Sequence, residues 1–128
     1  MSAGLVVDTS IWIDFLGGEK VPLLEDALAL GVVVLPPIVV AELVSGVRKD
    51  DHRAALVDLL DDLPLHETPR DHWIRVGDLR RTLARKGFAV STPDAHVAQC
   101  ALDRGAPLLS RDRVFARIAR HLSLQLVS

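Results

Sequence analysis

Short apolar runs alternate with longer amphipathic segments along the whole chain. Apolar runs bounded by glycine, proline or polar residues predict strands, and apolar residues spaced three or four apart predict helices. The predicted strands are 5–7, 32–35, 63–67, 106–109 and 124–127. The predicted helices are 21–30, 36–46, 51–62, 68–86, 92–104 and 114–121. Strands separated by helices imply a parallel sheet with right-handed crossovers. We therefore predict an α/β fold, a three-layer α/β/α sandwich with a four- or five-stranded parallel sheet.

Turn and cap residues support these boundaries. Gly31, Gly87 and Gly105 follow the ends of predicted helices, where glycine is the usual C-cap. Thr68 and Thr92 each precede a proline, a pattern that predicts a helix N-cap followed by the first helical turn.

Length and composition are those of an ordinary globular domain. The chain has 128 residues, 49% of them hydrophobic and 25% charged, which fits one domain over residues 1–128. No apolar run approaches the roughly 18 residues that span a bilayer, and the N-terminus lacks the basic region of a signal peptide. We therefore expect a cytoplasmic protein. The single cysteine, Cys100, excludes an internal disulfide and is interpreted as a small buried hydrophobic residue.

Charge is distributed unevenly along a chain whose net charge is only −2. Residues 1–64 contain 4 Lys or Arg and 11 Asp or Glu, whereas residues 65–128 contain 11 and 6. An acidic cation-binding cluster beside a basic phosphate-binding rim would produce this asymmetry, and so would two unlike solvated faces.

Four acidic residues carry the candidate chemistry: Asp8, Glu42, Asp94 and Asp112. Asp8 and Asp112 follow apolar strands, Asp94 opens a helix, and Glu42 lies within an apolar stretch. Strand ends and helix starts meet at one edge of a parallel sheet, where open α/β folds place their sites. Carboxylates gathered there repel one another unless a cation joins them, and such oxygen ligands favour Mg²⁺ or Mn²⁺. The pattern indicates metal-dependent chemistry on a phosphate ester.

Each acid also has a structural interpretation. Asp8 and Asp112 could be turn residues, and Asp94 could serve the helix dipole. Glu42 favours the functional interpretation, because a glutamate is rarely placed in an apolar segment without a partner.

Four segments together resemble the PIN-domain ribonucleases, and among them the toxins of VapBC-type toxin–antitoxin pairs. They are Leu-Val-Val-Asp-Thr-Ser-Ile-Trp (5–12), Val-Val-Ala-Glu-Leu-Val-Ser-Gly (39–46), Pro-Asp-Ala-His-Val-Ala-Gln-Cys-Ala (93–101) and Leu-Leu-Ser-Arg-Asp-Arg-Val-Phe (108–115). The resemblance implies a Mg²⁺- or Mn²⁺-dependent endoribonuclease that cleaves RNA with metal-activated water. It places the acidic quartet on the four acids above and implies a cognate antitoxin and a homodimer.

The resemblance also assigns supporting positions. Ser10 corresponds to a hydroxyl that could position a metal-bound water, and Ser110 to one that caps the turn before Asp112. Val114 departs from the family pattern, since many relatives carry a further acid there. Fewer ligands leave open whether one or two metal ions bind.

Basic residues supply candidate RNA contacts. Arg111 and Arg113 flank Asp112, and Arg81 and Arg85 belong to a basic stripe before Gly87 that otherwise reads as a solvated helix face.

Other residues are given structural roles. We interpret Trp12 and Trp73 as packing residues, and we place His96 at the helix surface rather than in the site.

Other function classes fit less well. A phosphoacceptor receiver domain needs an acid pair after the first strand and an acceptor Asp after the third, and a dehalogenase-like phosphatase needs an Asp at position 10. The remaining alternative is a non-catalytic PIN-like RNA-binding or scaffold protein, which would be expected to lack the quartet. The sequence does not specify the RNA target.

Overall fold

A computed structural model describes residues 4–127 of the chain. The strands are β1 (Leu5–Val7), β2 (Val33–Val34), β3 (Leu108–Leu109) and β4 (Leu126–Val127). The helices are α1 (Thr9–Leu16), α2 (Pro22–Leu30), α3 (Pro37–Gly46), α4 (Asp50–Asp61), α5 (Arg70–Arg85), α6 (Thr92–Arg104) and α7 (Arg113–Ala119).

The strands form one parallel sheet in the order β2-β1-β3-β4. Val6 of the central strand pairs with Val34 on one side and Leu108 on the other. All three residues of β1 are buried, although successive side chains point to opposite faces of the sheet. Both faces are therefore covered, as in parallel sheets generally, and the predicted α/β fold with a four-stranded parallel sheet is confirmed.

The fifth predicted strand, 63–67, is wrong. In this segment only Leu65 makes a ladder contact, an isolated parallel bridge to Leu35 just beyond β2. Pro64 lacks an N–H donor for a ladder, although its carbonyl accepts a hydrogen bond from the Leu35 N–H at 2.9 Å. The segment lies beside the sheet edge without extending it as a strand.

Helix α1 was missing from the sequence-based prediction. Its sequence contains Thr9, Ile11, Trp12, Ile13 and Phe15, residue types with modest helix propensity. Ile11 and Trp12 are buried, so tertiary packing of this apolar face stabilises the helix where local propensity does not.

Helix caps were predicted in part. Gly31 and Gly105 adopt the left-handed conformation after α2 and α6, as expected. The predicted N-cap Thr92 is instead the first residue of α6, and Ser91 is the cap, its Oγ accepting a hydrogen bond from the Asp94 N–H. Thr68 likewise lies two residues before α5, whose N-cap is Pro69.

One glycine is required by close backbone approach. Gly4, at the entry to β1, has φ +99°, and a Cβ there would lie 2.8 Å from the Val32 carbonyl oxygen. The lack of a side chain lets the chain enter the centre of the sheet beside the residue preceding β2.

A polar network centred on Asp103 joins α5 to α6. The Asp103 carboxylate accepts hydrogen bonds from Arg75 Nε at 2.8 Å and Gln99 Nε2 at 2.8 Å, and lies 2.8 Å from His72 Nδ1. Burial alone would raise the pKa of Asp103, but the hydrogen bonds with Arg75, His72 and Gln99 outweigh burial and lower the pKa to about 2. The network thus favours the ionised carboxylate.

This network should make stability fall in acid. The folded pKa of Asp103 lies below its ordinary value of 3.8, so the stabilisation is present above about pH 4 and is lost as pH falls towards 2. We expect Asp103→Asn to lower the free energy of unfolding at pH 7 by roughly 1–2 kcal/mol after allowance for solvent screening. Urea unfolding from pH 2 to 7, with the exposed-site variant Asp26→Asn as control, measures this. An unchanged pH dependence in Asp103→Asn would contradict the assignment.

Among residues 4–127, no helix is both long enough and apolar enough to cross a membrane.

Candidate active site

Asp8 stands at the carboxyl end of the central strand. Its side chain is only 7% exposed, and its Oδ2 accepts hydrogen bonds from Ser10 Oγ and Ser110 Oγ, both at 2.9 Å. The Asp8 N–H donates to the Leu109 carbonyl at 3.0 Å, which ties the residue to the end of β3. Two hydroxyls from different elements therefore fix the orientation of this carboxylate.

The hydroxyl of Ser110 links Asp112 to Asp8. Ser110 Oγ, which donates to Asp8, also accepts a hydrogen bond from the Asp112 N–H at 3.0 Å. Asp112 is the N-cap of α7, where its Oδ1 accepts from the Val114 N–H at 3.0 Å. Ser110 thus links the two acids and supports the turn before α7, as the sequence indicated.

Asp94 occupies the first turn of α6 and is half-buried. Burial raises the pKa of its carboxyl, the hydrogen bond with Ser91 opposes this, and repulsion by Asp112, Asp8 and Glu42 raises the pKa further. The charged residues that act on Asp94 are the other three acids of the predicted quartet. The structure therefore brings the four carboxylates together, while their function stays a prediction.

Glu42 joins the cluster from α3 but is not buried. Its side chain is exposed, whereas Val39 and Leu43 on the same helix are buried. Its Oε1 accepts a hydrogen bond from Thr9 Oγ1 at 2.8 Å. Although Glu42 lies in an apolar stretch of sequence, helix α3 turns only part of that stretch towards the core and leaves Glu42 at the surface. Sequence reasoning also missed Thr9, whose hydroxyl directly follows the first acid.

The electrostatic environment fits a divalent cation. Four carboxylates converge from the end of β1, α3, the first turn of α6 and the turn before α7. All of them offer the hard oxygen ligands that Mg²⁺ and Mn²⁺ prefer, and bound positive charge would relieve the repulsion at Asp94.

The position where relatives often carry another acid is partly buried. Val114, in the first turn of α7, packs against the hydrophobic core while its backbone N–H contacts Asp112. The residue is therefore next to the acidic cluster, but its side chain contributes to packing.

The predicted RNA-contact arginines differ in their surroundings. Arg111 forms ion pairs with Asp14, at 2.5 Å, and with Glu19, so it would have to leave these partners to meet a phosphate. Arg81 lies 3.8 Å from Asp78 on the exposed face of α5. Their roles, and those of the exposed Arg113 and Arg85, stay predictions.

Arg80 lies nearer to the start of α6. Its Nε donates to the Val90 carbonyl at 2.8 Å, one residue before the cap Ser91. Sequence reasoning did not separate it from the rest of the stripe.

The surface position predicted for His96 is wrong. His96 is 1% exposed, because the α6 face that carries it packs against α3 and α5. Trp73 stacks on its ring at a centroid distance of 4.6 Å and is itself 42% exposed. Trp12 and Cys100 are buried, as expected.

An apolar groove of about 690 Å³ runs between α1, α3 and α4 and reaches Glu42. Its apolar lining includes Ile13, Leu16, Leu43, Val47 and Leu59. Ile13 and Leu16 are substantially exposed, which is unusual for large aliphatic residues beside a polar site.

Comparison with known proteins agrees with this architecture. The PIN domain family model matches residues 5–121. Ribonuclease VapC21 from Mycobacterium tuberculosis is 35% identical over 78 residues, which cover 59% of this chain and 56% of that protein. The chain thus matches just over half the length of this curated relative.

Solved structures share the fold. VapBC2 from Rickettsia felis, bound to a DNA fragment from its promoter, matches with a TM-score of 0.78 and 23% identity, covering 96% of both chains. VapBC-1 from nontypeable Haemophilus influenzae matches with a TM-score of 0.77 and 20% identity, covering 97% of this chain and 96% of that one. Since the family model spans nearly the whole chain and the fold agrees, this protein belongs to the PIN-domain family.

Proposed function

We propose that this chain is a Mg²⁺- or Mn²⁺-dependent endoribonuclease and the toxin of a VapBC-type pair. The convergence of Asp8, Glu42, Asp94 and Asp112 on one edge of the sheet carries the proposal. The likeness to a protein named as a ribonuclease, and to toxin–antitoxin complexes of the same fold, supports it. The expected homodimer stays a prediction.

The four acids would hold the ion, and the hydroxyls around them would set their orientation. When bound, the ion would lower the pKa of a water molecule and offset the negative charge of the scissile phosphate. Asp8 is positioned most firmly, by Ser10 and Ser110. Thr9 restrains the exposed Glu42. These hydrogen bonds fix the directions of the Asp8 and Glu42 carboxylates before the ion and RNA arrive.

Cleavage should depend on metal and leave 5′-phosphate and 3′-hydroxyl ends. Attack by water leaves the ribose 2′-OH uninvolved, so no cyclic phosphate forms. The purified full chain is incubated with total RNA in Mg²⁺, in Mn²⁺ and in EDTA, and the new ends are sequenced. Cyclic phosphate ends, or full activity in EDTA, would contradict the proposal. RNA binding without cleavage would favour the non-catalytic alternative.

The number of ions can be tested at residue 114. Val114→Asp places a carboxylate beside Asp112 in the first turn of α7, where the helix dipole favours it. We expect the variant to bind a second Mn²⁺ more tightly and, because Val114 packs against the core, to lose about 1–2 kcal/mol of stability without metal.

Calorimetric Mn²⁺ titration beside thermal melts measures both effects. The uncharged variant Val114→Thr is the matched control for lost packing. An unchanged Mn²⁺ stoichiometry in folded Val114→Asp would show that residue 114 does not face the ion.

A further inference from the structure

A cluster of nitrogen and sulfur ligands lies in the interior, separate from the four acids. His66, His72 and Cys100 are buried, and one ligand atom from each lies within 4.8 Å of the others. The cluster joins the segment after α4 to α5 and α6. Neither the acidic chemistry nor the resemblance assigns it a role.

A chain of hydrogen bonds defines the protonation of the rings around the cluster. The Ile38 N–H donates to His96 Nε2 at 3.4 Å, so His96 carries its proton on Nδ1. His96 Nδ1 lies 2.7 Å from His72 Nε2, which must then accept. His72 consequently carries its proton on Nδ1 and donates it to Asp103 at 2.8 Å. The lone pair of His72 Nε2 therefore accepts from the His96 Nδ1–H, and an ion would bind at this nitrogen by displacing that hydrogen bond, with Asp103 holding the opposite side of the ring.

His66 is the unexplained member of this cluster. Its Nδ1 is buried and has no hydrogen-bond partner among the described residues. Its Nε2 lies 3.9 Å from Asp103 Oδ2, which is beyond hydrogen-bond distance. Because buried polar groups in proteins are usually hydrogen-bonded, this unpaired nitrogen points to a partner such as a bound ion.

The Cys100 thiol likewise makes only long contacts with polar atoms. Its Sγ lies 3.8 and 4.0 Å from the two ring nitrogens of His96. Burial raises the pKa of the Cys100 thiol to about 12, so the metal-free protein holds it protonated. An ion bound to this sulfur must displace that proton.

We propose that His66, His72 and Cys100 form a second metal site, selective for Zn²⁺ and ions of similar softness. Thiolate and imidazole suit Zn²⁺ and exclude Mg²⁺, whereas the acidic cluster has the opposite preference. Bond lengths of about 2.0–2.3 Å place tetrahedral ligands about 3.5 Å apart, so ligand atoms that now lie within 4.8 Å of one another must approach by up to about 1 Å. The weakly held His66 ring can make that movement. Asp103 behind His72 matches the carboxylate–histidine–metal arrangement that orients ligands in zinc sites.

Cobalt absorption tests this site separately from the acidic cluster. The full chain is titrated with Co²⁺ in excess Mg²⁺, which occupies oxygen sites but not the soft cluster. We expect a thiolate-to-cobalt charge-transfer band that saturates at about one ion per chain, with release of about one proton, and that disappears when Zn²⁺ is added. No oxygen-only site gives this band, so the result stands or falls independently of the ribonuclease proposal.

Two variants test proposed ligands, and a third is the control. Cys100→Ala should abolish the band, and His66→Asn should weaken Co²⁺ binding at least ~10-fold. His52→Asn, at an exposed histidine on α4, should leave the titration unchanged. Circular dichroism checks folding, and His66→Asn decides the matter if Cys100→Ala does not fold. The site would be overturned if folded wild-type protein showed no band at saturating Co²⁺. Persistence of the band in folded Cys100→Ala, or undiminished Co²⁺ binding in His66→Asn, would also overturn it.

Discussion

Replacing Asp8, Asp94 or Asp112 by Asn should reduce RNA cleavage by at least ~100-fold while leaving the metal-free fold intact. Removing a group that only supports a metal ligand typically lowers metal affinity or activity 10–100-fold, and removing a direct ligand should lower them further. The metal-free fold should tolerate the change, because the amide removes a charge that repels its neighbours. This is clearest at Asp94, where burial and three carboxylates raise the pKa of the carboxyl. In EDTA, Asp94→Asn should melt at the wild-type temperature or above it.

The remaining contacts predict how well each variant folds. An Asn at position 8 keeps an oxygen to accept from Ser10 and Ser110, and an Asn at position 112 remains a good N-cap. Melting curves with and without Mn²⁺, together with RNA cleavage, measure both effects. Asp26→Asn, at an exposed acid on α2, is the control and should match wild type. A large loss of metal-free stability in all three variants would mean that these acids are structural.

The second large effect is expected in cells. Expressed alone, the chain should arrest growth, and expressed with its antitoxin it should be harmless and copurify with it. Under the proposed function, we expect the antitoxin to occupy the apolar groove between α1, α3 and α4, because Glu42 is one of the residues that line this groove. An antitoxin segment there could extend a basic residue among the acids, where a charge-assisted hydrogen bond is strong.

A substitution in the groove tests whether the antitoxin binds there. Leu16 is 45% exposed and lines the groove, so Leu16→Glu should weaken antitoxin binding about 100-fold through lost apolar burial and a buried charge. Leu30→Glu, at an exposed leucine on α2 outside this lining, is the matched control. When the antitoxin is coexpressed, growth arrest should persist with Leu16→Glu but not with Leu30→Glu. Harmless expression of soluble wild-type protein without any antitoxin would count against the toxin assignment.

Local signals in the sequence sufficed for the framework. Buried β-branched runs predicted β1 and β2, and Gly31 and Gly105 marked the ends of helices because their backbone is left-handed there. Three acids next to strand ends or helix starts were expected to meet, because parallel strands end at one sheet edge. These are properties of single segments and of their order.

The remaining features depend on contacts between distant segments. His72 and His96 are 24 residues apart, and Arg111 pairs with Asp14 from 97 residues away. Neither contact has a local signature, so the burial of His96 and the occupation of Arg111 could not be predicted. The exposure of Glu42 was likewise set by the direction in which α3 packs rather than by the composition of the helix.

Anomalous diffraction from crystals of the full chain grown in Mn²⁺ tests the central claim most directly. The account predicts an anomalous peak among the carboxylates of Asp8, Glu42, Asp94 and Asp112, and its loss in Asp94→Asn. Ordered crystals at saturating Mn²⁺ with no peak at these four side chains would contradict it.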